Sequence, residues 1–137
     1  MLCDADPMRT LLSLLIAAAA FASCSPRQVG LSANDCWSVS IGDNVVGEAT
    51  LFAYTGRDCI ECGMQLLRKN CLPVPFTTAD GKAERAVYRI AKTTKPDSAG
   101  FITRVIYLAG DVVPYGATQK PMIRASQVSV SQIAMPR

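Results

Sequence analysis

The chain contains no histidine. That absence removes the commonest general base and the commonest metal ligand, and it leaves no Ser-His or Cys-His triad to assemble. There is no G-x-S-x-G elbow and no glycine-rich phosphate loop. The single C-x-x-C has no second copy of the kind that zinc ribbons use. No apolar run approaches the roughly 20 residues needed to cross about 30 Å of hydrocarbon. Charge is sparse and scattered, with 14 Lys and Arg against 11 Asp and Glu.

What is present begins with an export signature. Leu11 to Ala22 is a twelve-residue run, apolar but for Ser13, with Arg9 before it and small residues after it. A charged start, a short apolar stretch and a small-residue exit are the features of a secretory signal. Asp4 and Asp6 are unwelcome in such a start, which makes Met8-Arg9-Thr10 the better candidate beginning. Two processing outcomes are open. Ala20-Phe21-Ala22 offers ordinary cleavage and a soluble product. Phe21-Ala22-Ser23-Cys24 resembles the lipobox of bacterial lipoproteins, although Phe21 stands where an aliphatic residue is usual. The resemblance implies a lipid-modified Cys24, and Ser25 directly after it implies the outer membrane, facing the periplasm.

Cysteine parity favours the second outcome. Five cysteines follow the signal: Cys24, Cys36, Cys59, Cys62 and Cys71. In an oxidising compartment an odd number leaves a reactive thiol or requires an intermolecular bridge. Lipid on Cys24 leaves four, enough for two disulfides in a domain too small for a large core. The pairing is open, with Cys59–Cys62 disfavoured because Cys36 and Cys71 would then have to find each other unaided. A thiol-disulfide oxidoreductase using Cys59 and Cys62 is the alternative, weakened by Gly63, by the negative charge of Glu61 and by the lack of a βαβ framework. A four-thiolate zinc site ranks third. Asp58 and Glu61 form a local carboxylate pair in the same turn, without sequence support for a catalytic role.

From Cys24 the chain runs 114 residues, one domain's worth, with thirteen cationic and nine acidic side chains. Ser25 to Asn34 is broken by Pro26, Gly30, Ser32 and Asn34 and reads as a tether. After the Gly42-Asp43-Asn44 turn, Val45, Gly47, Ala49, Leu51 and Ala53 alternate with more polar neighbours, which predicts a strand. Met64 to Leu67 is a second apolar run, and Pro73 and Pro75 rule out a helix from Cys71 to Phe76. Ala79-Asp80-Gly81-Lys82 carries hairpin-turn chemistry. Ala83 to Ala91 suits helix or strand equally. Phe101 to Leu108 is the clearest strand, expected to break at Gly110-Asp111, and Met122 to Ile133 supplies the last. Lys82, Arg85, Arg89, Lys92 and Lys95, with Glu84 among them, form the nearest thing to a basic cluster: a solvated face, or one drawn to anionic lipid. Trp37 beside Cys36 reads as a core or disulfide-packing ring.

The expected fold is therefore mainly β, a small five-stranded barrel with at most one short helix, preceded by a signal helix. Three pieces carry a resemblance to OB-type barrels and to small exported OB-like proteins of unknown function. They are the Gly-bearing strand Val45 to Tyr54, the Cys62-Gly63-Met64-Gln65-Leu66 step and the closing strand near Ile123 to Ile133. The expected layout is a signal at 1–23, a tether at 24–35 and a single barrel domain at 36–137. The expected role is a lipid-anchored, non-enzymatic binding or structural module of the envelope, with a soluble secreted binding protein as a further alternative. Its expected partners are the membrane through Cys24, and another envelope protein or anionic lipid; no cofactor, metal or nucleic acid is anticipated.

Overall fold

The alternation after Gly42 does form a strand, and the rest of the sheet is organised around it. The computed structural model describes residues 25–55 and 63–131. The segment read as a signal, Cys24, and the turn residues Asp58, Cys59, Glu61 and Cys62 lie outside those residues. In chain order the elements are β1 (Gln28–Leu31), β2 (Asn44–Tyr54), β3 (Gln65–Arg68), β4 (Cys71–Thr78), α1 (Gly81–Thr93), β5 (Phe101–Pro114) and β6 (Pro121–Val130).

Strand β2 turns Val45, Ala49, Leu51 and Ala53 inward. Along its whole length it pairs antiparallel with β5, from Asn44 opposite Asp111 to Tyr54 opposite Phe101. Its other partners divide it in two: β1 lies parallel against Asn44 to Gly47, and β3 antiparallel against Thr50 to Phe52. Gly47 sits where one gives way to the other. It adopts φ +137°, and a Cβ there would run into the backbone of Leu31. Only glycine permits both the conformation and the approach.

The remaining pairings are β3 with β4, β4 with β6 in parallel, and β6 with β5. Because β5 returns to β2, the sheet closes partly into a ring of five strands, with β1 added outside it. One helix lies between the third and fourth ring strands. The mainly β, barrel-like architecture thus agrees with the sequence pattern. Leu51, Leu66, Ile102, Ile106, Leu108 and Ile123 are fully buried at its centre, and Val87 and Ile90 of α1 join that cluster.

Three local expectations need correction. The stretch expected to be an irregular tether supplies β1, so the sheet has six strands and the folded region begins before Cys36. The Asp80-Gly81 step is a helix start and not a hairpin: Asp80 Oδ1 accepts the Ala83 N–H at 2.9 Å, an N-cap that settles the following residues as helix. Strand β5 does not break at Gly110 but continues to Pro114. A bulge absorbs the break, because two β6 residues beyond Ala125 face a single step from Gly110 to Ala109. As expected, Pro73 and Pro75 exclude helix, and both lie within β4. Pairing with β6 starts only at Phe76, past both residues that lack an N–H.

Candidate functional site

The bulge between β5 and β6 changes which side chains face outward. Ile123 and Ala125 point into the core, Ser126 is the extra residue, and beyond it Val128 is the one that packs against the core. Ser126 is held in place by donating its hydroxyl to the Ala109 carbonyl at 3.2 Å. The neighbouring wall comes from α1, which buries Ala83, Val87, Ile90 and Ala91 and leaves Lys82, Arg85 and Arg89 on the opposite stripe. Their spacing of three and four residues puts them on one face of the helix. Between the two walls runs an open groove of about 660 Å³, lined by those three cations together with Tyr107, Ser126 and Ser129.

No carboxylate lines that groove. Among the described residues the ion pairs are Arg27 with Asp43 and Arg124 with Asp111, so Lys82, Arg85 and Arg89 belong to neither. Lys92 and Lys95, grouped with them in the sequence, do not line the groove. A second trough, of about 650 Å³, includes Gln28, Asn44, Ala79, Gly110 and Arg124, and meets the first at Ser126. Concave surfaces lined by one sign of charge concentrate counter-charged ligands. Hydroxyls and guanidinium forks together suit phosphate or carboxylate oxygens.

The two paired arginines do structural work. Arg27 grips Asp43 through both guanidinium nitrogens, Nη2 to Oδ2 at 2.7 Å and Nε to Oδ1 at 3.3 Å, and the Ser40 N–H donates to the same carboxylate at 2.8 Å. The Arg27 hydrogen bond lowers the Asp43 carboxyl below its usual range, against the opposing effect of burial. The Arg27 guanidinium is raised in turn by the same bond. With the Asn44 N–H donating to the Arg27 carbonyl at 2.9 Å, the chain is fixed to the β2 entrance one residue before β1 begins. Arg124 and Asp111 form a similar two-pronged pair at 2.6 and 3.0 Å, which raises the Arg124 guanidinium.

The cysteine constellation is partly visible. Cys36 and Cys71 are joined in a disulfide, their Cα atoms 5.7 Å apart. The objection to a Cys59–Cys62 bridge, that Cys36 and Cys71 would have to meet unaided, therefore falls. A local clamp helps them meet. Arg68 donates from Nε to the Leu72 carbonyl at 2.8 Å and from Nη1 to the Trp37 carbonyl at 2.9 Å, and its guanidinium lies 5.3 Å from the centre of the Trp37 ring. One side chain thus holds the residue after each bridging cysteine. Trp37 packs into the core as expected, although its buried Nε1 has no hydrogen-bond partner among the described residues. With Cys36 and Cys71 bonded to each other, a zinc site made of all four thiolates is excluded. Among the described residues no group of three His, Cys, Asp or Glu side chains is placed to hold a metal ion.

Sequence reasoning missed the groove and both ion pairs. The cationic spacing on α1 was the one signal available; the β6 wall lies some forty residues further on and carries no motif. No protein-family model, curated protein or solved structure matches the chain.

Proposed function

We propose that the chain is an exported, lipid-anchored envelope protein whose barrel serves as a non-enzymatic binding module. The observation that carries this reading is the Cys36–Cys71 disulfide, because cross-links of this kind in a small domain belong to oxidising compartments. The twelve-residue apolar run and the lipobox-like Phe21-Ala22-Ser23-Cys24 add to it from the sequence. Five cysteines follow that run, and an odd count in an oxidising compartment leaves one sulfur over, which Cys24 supplies for acylation. The groove between α1 and β6 supplies the binding surface, cationic and lined by hydroxyls.

Metabolic labelling with an alkyne fatty acid tests the anchor. Label is expected on the mature protein and absent from Cys24→Ala. An unlabelled mature protein would overturn the anchor and leave a soluble secreted binding protein.

A further inference from the structure

We propose that the cationic groove between α1 and β6 holds phosphate groups of anionic phospholipid in the membrane that carries the anchor, so that the barrel lies on that surface along its Gln28–Ser126–Arg89 side. The inference rests on the lipid-anchored reading and deepens it by naming the ligand and the orientation.

The first argument is reach. The sequence suggested a spacer from 24 to 35, but Arg27 is fastened to Asp43 and β1 starts at Gln28. Only Ser25, Pro26 and Arg27 separate Cys24 from the sheet. Four residue steps extend to about 14 Å at most. A diacylglyceryl group on Cys24 is seated among the headgroups, so Gln28 stays within that distance of them.

The second argument is placement. Gln28, Asn44, Asp111 and Arg124 stand in one row across β1, β2, β5 and β6. At roughly 4.8 Å per strand that row covers about 14 Å. Gln28 and Ser126 line the same trough, and Ser126 also lines the cationic groove. Just before α1, the Ala79 N–H donates to the Ala125 carbonyl at 2.8 Å, tying the helix start to the β6 bulge. Gln28 and the groove are therefore linked through a trough that meets the groove at Ser126.

The third argument is charge. Lys82, Arg85 and Arg89 span about 10 Å of helix and face no carboxylate within the groove. Glu84 is on the same helix but does not line it. Arginine forks match phosphate oxygens, Ser126, Gln127 and Ser129 add polar contacts, and Tyr107, 42 % exposed, is the amphipathic ring suited to a headgroup layer. Cations near an anionic leaflet reinforce an acyl anchor additively.

The test uses the mature protein purified from membranes, with its intact mass reporting whether Cys24 carries lipid. It is reconstituted into vesicles of phosphatidylcholine alone or with phosphatidylglycerol, and Lys82 is followed by amine acetylation and mass spectrometry. Acetylation of Lys82 is expected to slow about threefold or more on the anionic vesicles, and to recover in high salt or in Arg85→Gln/Arg89→Gln. Equal Lys82 rates on both vesicles, or full protection surviving in that double variant, overturns the proposal. Protection equally strong in free inorganic phosphate without vesicles overturns it in favour of a soluble phosphate ligand. A chain found to lack lipid defeats the anchor reading alone; Lys82 protection when that chain is added to the same anionic vesicles then still supports the groove.

Discussion

Two regions of the barrel spend their arginines in opposite ways. Around the disulfide, Arg68 serves the chain itself: two hydrogen bonds go to backbone carbonyls beside Cys36 and Cys71, and its guanidinium lies over Trp37. Along α1, Lys82, Arg85 and Arg89 line a groove with no carboxylate in it. The first arrangement stabilises a particular path of the chain. The second does little for the fold, since like charges at this spacing on a helix repel slightly. Cations that cost a little stability and face a hollow are better understood as serving a partner than as serving the core.

That contrast yields a graded series of expected outcomes. The largest effect belongs to the bridge: Cys36→Ala/Cys71→Ala releases a 35-residue separation and is expected to cost roughly 3–4 kcal/mol. Thermal unfolding followed by circular dichroism should then show the midpoint falling by about 12 °C or more. A drop of only a degree or two would mean that the Arg68 clamp, and not the bridge, sets the stability of this side.

Next comes the clamp itself. Arg68→Met keeps the aliphatic stem but abandons two backbone carbonyls and the ring contact, an expected loss of about 1–3 kcal/mol in urea unfolding. Combined with the cysteine double variant, the losses should depart from additivity because the residues share neighbours.

Asp43→Asn probes the paired arginine at the domain entrance through pH. A carboxyl whose folded value is lowered gives stability that is fully present above its unfolded value, near 3.9, and is lost as pH falls through the lower folded value. The parent protein should therefore lose stability steadily below about pH 4. Asp43→Asn should be less stable at pH 7 and show a flatter acid limb, measured as urea midpoints from pH 7 to pH 2. An unchanged acid limb would remove Arg27–Asp43 from the account of how the chain start is held.

The smallest effect is expected in the groove. Lys82→Gln, Arg85→Gln and Arg89→Gln together should change stability by no more than about 0.5 kcal/mol, and in the favourable direction as repulsion is relieved. A loss comparable with that of Arg68→Met would place these cations among the fold's supports and erase the contrast.

The strands that could be read directly are those whose own residues alternate or are rich in β-branched and aromatic types. β2 and the first part of β5 announce themselves through Val45 to Ala53 and Phe101 to Leu108, because one face of each is buried regardless of what lies opposite. Pro73 and Pro75 were equally direct in excluding helix. Elsewhere one residue type serves two purposes. Asp80-Gly81 suits a hairpin turn as well as a helix cap, and the choice rests on whether Ala83 offers its N–H. Gly110 would end an isolated strand, but paired with β6 it allows the close approach of Arg124 and Ala125 at the bulge. β1 was illegible, since four residues containing Gly30 become a strand only because β3 leaves part of the β2 edge free.

The same division separates the two halves of the site. By itself the sequence determined the apolar export-like run, the five cysteines that follow it, the want of histidine and the mainly β character, all of which follow from residue identity and local spacing. Tertiary structure decided that Cys36 finds Cys71, that Arg27 is held by Asp43, and that the α1 cations face the bulged β6 wall. Those facts depend on which strands share an edge. Ring closure by β5 and β2, whose register runs from Asn44 opposite Asp111 to Tyr54 opposite Phe101, is not written in any short stretch of the chain.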